Sequence, residues 1–271
     1  MKFLKLTIVE MRRALHRRLV RWMIFIALVG CTGVGIMLFI TSRNPVKFAH
    51  DTGHPAHMAN WWISGSDGES FLTPSAVFLV IGAVICGASV IGAEWKAGTI
   101  TTMLTWVPSR LRLHGARTLS AAILSFAIGF VLEAMFLASS IPAIIVHGDT
   151  VGVDASWWGA LLLAMLRISF ITMLVTVLAV SVATIGRNTS AALVALATWA
   201  LVIERLIAGF WPKYARFMIA ENVSIVVPWA EGRNFEFERP PIVALLTLVV
   251  YLIPVVVAAT FIFARRDVAT T

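Results

Sequence analysis

From position 242 to position 264 the chain reads IVALLTLVVYLIPVVVAATFIFA, 23 residues without one charged side chain. About 20 such residues are what a helix needs to cross the hydrocarbon core of a bilayer. Five further stretches qualify, at residues 19–40, 71–93, 119–146, 158–185 and 191–210. Lipid offers the backbone no hydrogen-bond partner, so all six are expected to be helices. Composition agrees. Hydrophobic residues make up 59% of the 271 and charged residues 13%, against about 45–50% and about 25% in soluble domains. The expected fold is an all-α integral membrane protein, one transmembrane domain over residues 1–271. The third and fourth runs are long enough to tilt or project. The first run exceeds the apolar core of a signal peptide and has no small-x-small site before Thr41, so it is expected to be retained.

The formal net charge is +8 and the pI about 10.3. In a soluble protein that excess would suggest nucleic acid. Here the basic residues gather at the ends of apolar runs, so nucleic acid is not expected as a partner and the charge reads as topology. With the N-terminus inside, 14 Lys and Arg fall on the inner side and 6 on the outer. The positive-inside rule then puts both termini in the cytoplasm. Trp22, Trp95, Trp157, Trp158 and Trp211 fall near run ends, as an aromatic belt does. Residues 1–18 form a different pattern. Leu4, Ile8, Met11 and Leu15, continued by Leu19, make one apolar stripe, with Lys2, Lys5, Arg13 and Arg17 off it. A basic amphipathic helix of that kind lies in the membrane interface, against anionic lipid.

Between the second and third runs, residues 94–118 carry Glu94, Lys96, Arg110, Arg112, His114 and Arg117. The stretch GTITTMLTWV can form a short helix with Ile100, Met103, Leu104 and Val107 on one side, ended by Pro108. Its pattern suits equally a surface for another protein and a connecting helix lying on lipid.

The elements Glu94-x3-Gly98-Thr99, then Leu104, then Pro108-Ser109-Arg110 resemble the signature of permease subunits of type-2 ABC exporters. So does the layout: an interfacial N-terminal helix, six spans, a cytoplasmic segment after the second span and a long outer loop before the sixth. Arg117 departs from the Lys more usual in that family and keeps the charge. The resemblance implies that residues 94–118 hold a coupling helix docking on a separate ABC ATPase, with Glu94, Gly98, Thr99, Met103, Leu104, Pro108, Ser109 and Arg110 in that role. It further implies a second permease copy or a homologous permease, and ATP and Mg bound by the ATPase. No cofactor would bind this chain. The cargo would be a hydrophobic or amphipathic compound such as a drug, antibiotic, lipid or lipid-linked glycan, exported across the plasma membrane. It also implies re-entrant helices in the outer loop 211–241, where two short apolar runs, at 217–220 and 223–230, are each too short to span. An ordinary loop with a buried anchor is the plainer reading of those residues.

The chain has no GxxxxGK[ST] phosphate loop, no HExxH, no GxSxG and no CxxC pair, so catalysis is not expected of it. Cys31 and Cys86 read as small core residues. His50, His54 and His57, with Asp51, are irregularly spaced and read as a solvated loop rather than a metal site. Two other classes compete. An intramembrane lipid-modifying enzyme needs convergent His or carboxylate groups near one membrane face, and the spans offer only Glu133, Glu204, Arg167 and Arg205. A non-transporting anchor or sensor could share the layout.

A charge at mid-bilayer costs about 2.5–3.5 kcal/mol on insertion scales, so each needs a partner. Glu133 and Arg167 lie at similar depth in runs joined by a short loop and are expected to pair. Glu204 is an alternative partner for Arg167, and Arg205 is expected to snorkel to the interface.

Overall fold

A computed structural model describes residues 3–43, 57–63, 70–107, 109–229 and 239–265. These residues are almost wholly helical. In chain order the helices are α1 Phe3–Leu15, α2 Arg18–Thr41, α3 Met58–Trp62, α4 Leu72–Lys96, α5 Thr99–Trp106, α6 Arg110–His147 and α7 Ala155–Gly186. α8 Thr189–Thr198 follows, then a π-helical turn Trp199–Ile203, α9 Glu204–Phe210, α10 Pro212–Ala215, α11 Ile219–Val226 and α12 Pro241–Arg265. Six helical segments are long and apolar enough to cross a membrane: α2, α4, α6, α7, the continuous Thr189–Phe210, and α12. The chain is a multi-pass membrane protein.

α7 is the axis of the bundle. It packs against α4, α6, α8 and α12, and α2 lies outside it on α6. The residues along α7 explain this. Ser169, Thr172, Thr176, Ser181 and Thr184 are buried, and each hydroxyl donates to the carbonyl four residues back, at 2.7–2.8 Å. No hydroxyl on that face needs an outside partner, and small side chains let neighbouring backbones come close. Gly87 of α4 shows how close. A Cβ there would lie 2.8 Å from the Thr176 carbonyl oxygen and 3.1 Å from Ala179 Cβ. Around it Ala88, Ala179, Ala183 and Ala192 form a buried cluster of methyl groups. At the other end of the bundle the core is larger. Trp62, Phe71 and Phe136 stack there over Leu161, Ile168 and Ile225.

The third spanning helix begins at Arg110, nine residues before the apolar run at 119–146. At about 1.5 Å per residue its 38 residues extend about 57 Å, against about 30 Å of hydrocarbon. It therefore projects beyond the apolar layer at the end of the bundle where α1 lies. α1 has two faces. Leu6, Thr7, Glu10 and Ala14 are buried, and α1 packs on α6. Leu4, Ile8 and Leu15 of the apolar stripe are exposed. That stripe is therefore not what α1 packs with; it is left exposed.

Overpacking a tight backbone contact costs about 1–3 kcal/mol. Gly87→Val should lower the melting temperature of the detergent-solubilised protein by several degrees. Gly30→Ala, where a Cβ would meet nothing within 4 Å, should leave it unchanged.

Candidate functional site

The candidate site lies where α1, α4, α5 and α6 meet. α4 runs to Lys96, and the chain turns at Gly98, whose φ of 65° is a left-handed conformation. A side chain there would be strained. α5 starts at Thr99, and α6 starts at Arg110 with Ser109 in the N-cap position and no side-chain cap bond. Pro108 lies outside the described residues.

The apolar side of α5 packs in part against this chain. Ile100 is buried, and the Met103 sulfur receives guanidinium N–H groups of Arg13 and Arg117. Leu104 and Val107 are half-buried, while Thr102, Thr105 and Trp106 are exposed, Trp106 to 83%. Met103, on the stripe whose pattern suits docking and lipid contact equally, is thus held by α1 and α6. The aromatic on the opposite face was not singled out.

Beneath α5 sits an ion network. Glu94, in the last turn of α4, is buried. Its carboxylate meets Arg17 at 2.5 Å, Arg117 at 2.7 Å and Arg13 at 3.3 Å. Glu10 adds a second carboxylate, 3.4 Å from Arg117 and 3.5 Å from Arg13. Arg17 also donates to the carbonyls of Ser89 and Val90, at 2.7 and 2.9 Å. Burial draws the pKa of Arg17 below the ordinary arginine value, and the Glu94 carboxylate opposes that pull. Arg117 is only 1% exposed. Beside it the buried His114 ring stacks on Phe263 of α12 at 5.3 Å. Two carboxylates and three guanidiniums thus join α1, the start of α2, α4 and α6. Sequence reasoning found Glu94 but missed Arg13, Arg17 and Arg117 as its partners, and Glu10 as the second carboxylate. One signal was available: Glu10 is the only acid in the first 90 residues outside the loop at 51–69. Arg110, expected in the coupling role, opens α6 and is half-buried.

The charges within the spans do not pair as expected. The two carboxylate oxygens of Glu133 lie 2.8 and 3.1 Å from the Ser75 hydroxyl of α4 and share its one proton, and Glu133 makes no ion pair with Arg167. The Arg167 guanidinium lies 5.0 Å from the ring centre of Trp229. Depth matched but direction did not. Met165 and Ser169, on the buried face of α7, are each about 160–200° around the helix from Arg167. Glu204 does not reach Arg167 either. Its carboxylate accepts from the Trp199 indole at 2.6 Å and from the backbone N–H groups of Ile219 and Ala220 at 3.0 and 2.7 Å. It caps the first turn of α11, where a negative charge is favoured. Arg205 is exposed, on another side of the helix. Glu221, in the same first turn of α11, has its pKa raised by burial, with Arg205 opposing and Glu204 adding to the rise.

His57 pairs with Asp149 at 2.8 Å, whereas His50, His54 and Asp51 lie outside the described residues. Among the described residues no three His, Cys, Asp or Glu side chains cluster as metal ligands would.

Compared with known proteins, the chain matches no family model and no curated protein.

Removing one partner from a buried ionic network costs about 3–5 kcal/mol. Glu94→Gln should abolish most of the monodisperse yield in detergent. The double variant Glu94→Gln with Arg117→Met should recover part of it, because one stranded guanidinium is gone. Equal yields for the single and double variants would show that Glu94 and Arg117 are not coupled.

Proposed function

We propose that the chain is the permease subunit of an ATP-driven exporter of the type-2 ABC class. It is a plasma-membrane protein with both termini in the cytoplasm, paired with a second permease, identical or homologous, and served by a separate ABC ATPase that binds ATP and Mg. On this reading the chain carries no catalytic group and forms the path for a hydrophobic or amphipathic compound. The α1 end of the bundle faces the cytoplasm, consistent with the 14-to-6 distribution of Lys and Arg. α5 is the coupling helix, and α11 is the re-entrant element at the outer end.

One observation carries the reading: α5 is fixed to three other helices while Trp106 stands free of them, 83% exposed. A helix that only connected two spans needs no such anchorage. Here a displacement of α5 would be passed through Met103 to Arg13 and Arg117. From there it reaches Glu94, at the end of α4, and the whole length of α6. Rigid helices driven together from one end are the usual means of alternating access. Large exposed aromatics are also the side chains on which protein interfaces most depend.

The test is purification from native membranes through a tag on this chain. A chain bearing a P-loop should copurify and hydrolyse ATP, while the permease alone should hydrolyse none. Trp106→Ala should reduce the copurified ATPase at least fivefold without changing the permease yield. Hydrolysis by the permease alone, or native membranes that yield no ATPase partner, would overturn the proposal.

A further inference from the structure

α2 touches α4 only lightly along its length and leans on α6 instead. The wedge between them is a cavity of about 140 Å³. α2 contributes Val20, Met23, Ile24 and Ala27, which recur on one helix face. α4 contributes Phe78, Gly82, Cys86 and Val90 among others, and α6 and α7 form the floor. No lining side chain is charged. Ser125, Thr172 and Thr176 are the only lining hydroxyls, and each donates to its own helix. The cavity therefore offers a ligand almost nothing but hydrocarbon.

Its size and position restrict the occupant. An apolar cavity of about 150 Å³ stays dry and takes a benzene-sized group. This one lies between membrane-crossing helices, so the molecules around it are lipid chains. At its end nearest α1 it is lined by Ala14 and Val90, and the Val90 carbonyl there receives Arg17. Arg21, one residue beyond the lining Val20, is exposed there. The surrounding charge is strongly positive. In residues 10–21 and 94–117 the described side chains include Arg12, Arg13, Arg17, Arg18, Arg21, Arg110, Arg112 and Arg117, against Glu10 and Glu94 alone.

We propose that this cavity holds part of an acyl chain of an anionic membrane lipid, from the leaflet at the α1 end, with the lipid head group beside Arg21. The inference does not depend on the transport reading. It assigns a lipid site to a single chain, between its own first and second spans. The bound chain fills space that α2 leaves open, and the head group meets a cation that the ion network does not use. Because Val90 both lines the cavity and receives Arg17, the occupant sits directly against the Glu94 network.

Gly82 permits a clean test. A Cβ there would meet only the Met23 methyl, at 3.8 Å, so Gly82→Leu fills the cavity without striking backbone. The full chain is reconstituted in nanodiscs with phosphatidylglycerol carrying a diazirine on one acyl chain, and crosslinks are mapped by mass spectrometry. Strong labelling is expected at residues 23–27 and 79–86. It should fall at least fivefold in Gly82→Leu, while labelling of the lipid-facing Ile36 and Met37 is unchanged. Phosphatidylcholine with the same diazirine chain should label the wild-type cavity at least threefold less, and Arg21→Gln should erase that difference. Comparison of the two lipids on the wild-type chain needs no variant to fold. Cavity labelling that survives Gly82→Leu, or equal labelling by both lipids, would overturn the proposal.

Discussion

Three guanidinium groups converge on the Glu94 carboxylate, and much of the architecture at one end of the molecule follows from that convergence. A buried acid alone would be costly, and three buried or half-buried arginines alone would repel one another. Together with Glu10 they neutralise most of the charge. The arrangement fixes the end of α4 against α1, the start of α2 and the first turns of α6. It also explains why α6 begins nine residues before its apolar run. Those early turns are held by Arg117 and His114 in protein, not by lipid.

The helices themselves were readable because the bilayer imposes one rule on every residue of a span. Long uncharged runs and the stripe of α1 follow from that rule and need no knowledge of neighbours. Azimuth was not readable. The apolar side of α5 was evident, but a stripe does not say whether protein, partner or lipid covers it. Met103 turned toward Arg13 of α1 and Arg117 of α6, which lie there for other reasons. Glu133 and Arg167 show the same gap. Their depths follow from counting residues, whereas their directions depend on which faces of α6 and α7 meet. That is set by Gly129 approaching Ser169 and Thr172, a contact between residues forty positions apart. Glu94 was legible as a polar residue out of place at the end of an apolar run. Its partners were not, because arginines near a membrane surface already have a sufficient reason to exist.

Charges in this protein are also handled in different ways according to place. Near α1 they form a network. Within the bundle they are few and each takes a local answer: a hydroxyl for Glu133, an aromatic ring for Arg167, a helix terminus for Glu204. A single hydroxyl or ring is a modest partner for a full charge. Glu204 has the fuller set, since the Trp199 indole and two backbone N–H groups of α11 all donate to it.

The π-helical turn at Trp199–Ile203 has a consequence for how this segment can change over time. A π turn is in effect one extra residue wound into an α-helix. Every residue beyond it is rotated by about 100° from where an uninterrupted helix would put it. Glu204 reaches the first turn of α11 only in that rotated phase, and the Trp199 indole reaches back across the same turn. Straightening the turn at unchanged chain length would swing the carboxylate away and leave two backbone N–H groups of α11 without their acceptor. Deleting one residue between 200 and 203 would instead let the segment close as a plain α-helix with Glu204 in the same phase. The turn thus lets this span carry an additional residue without moving the carboxylate that α11 depends on.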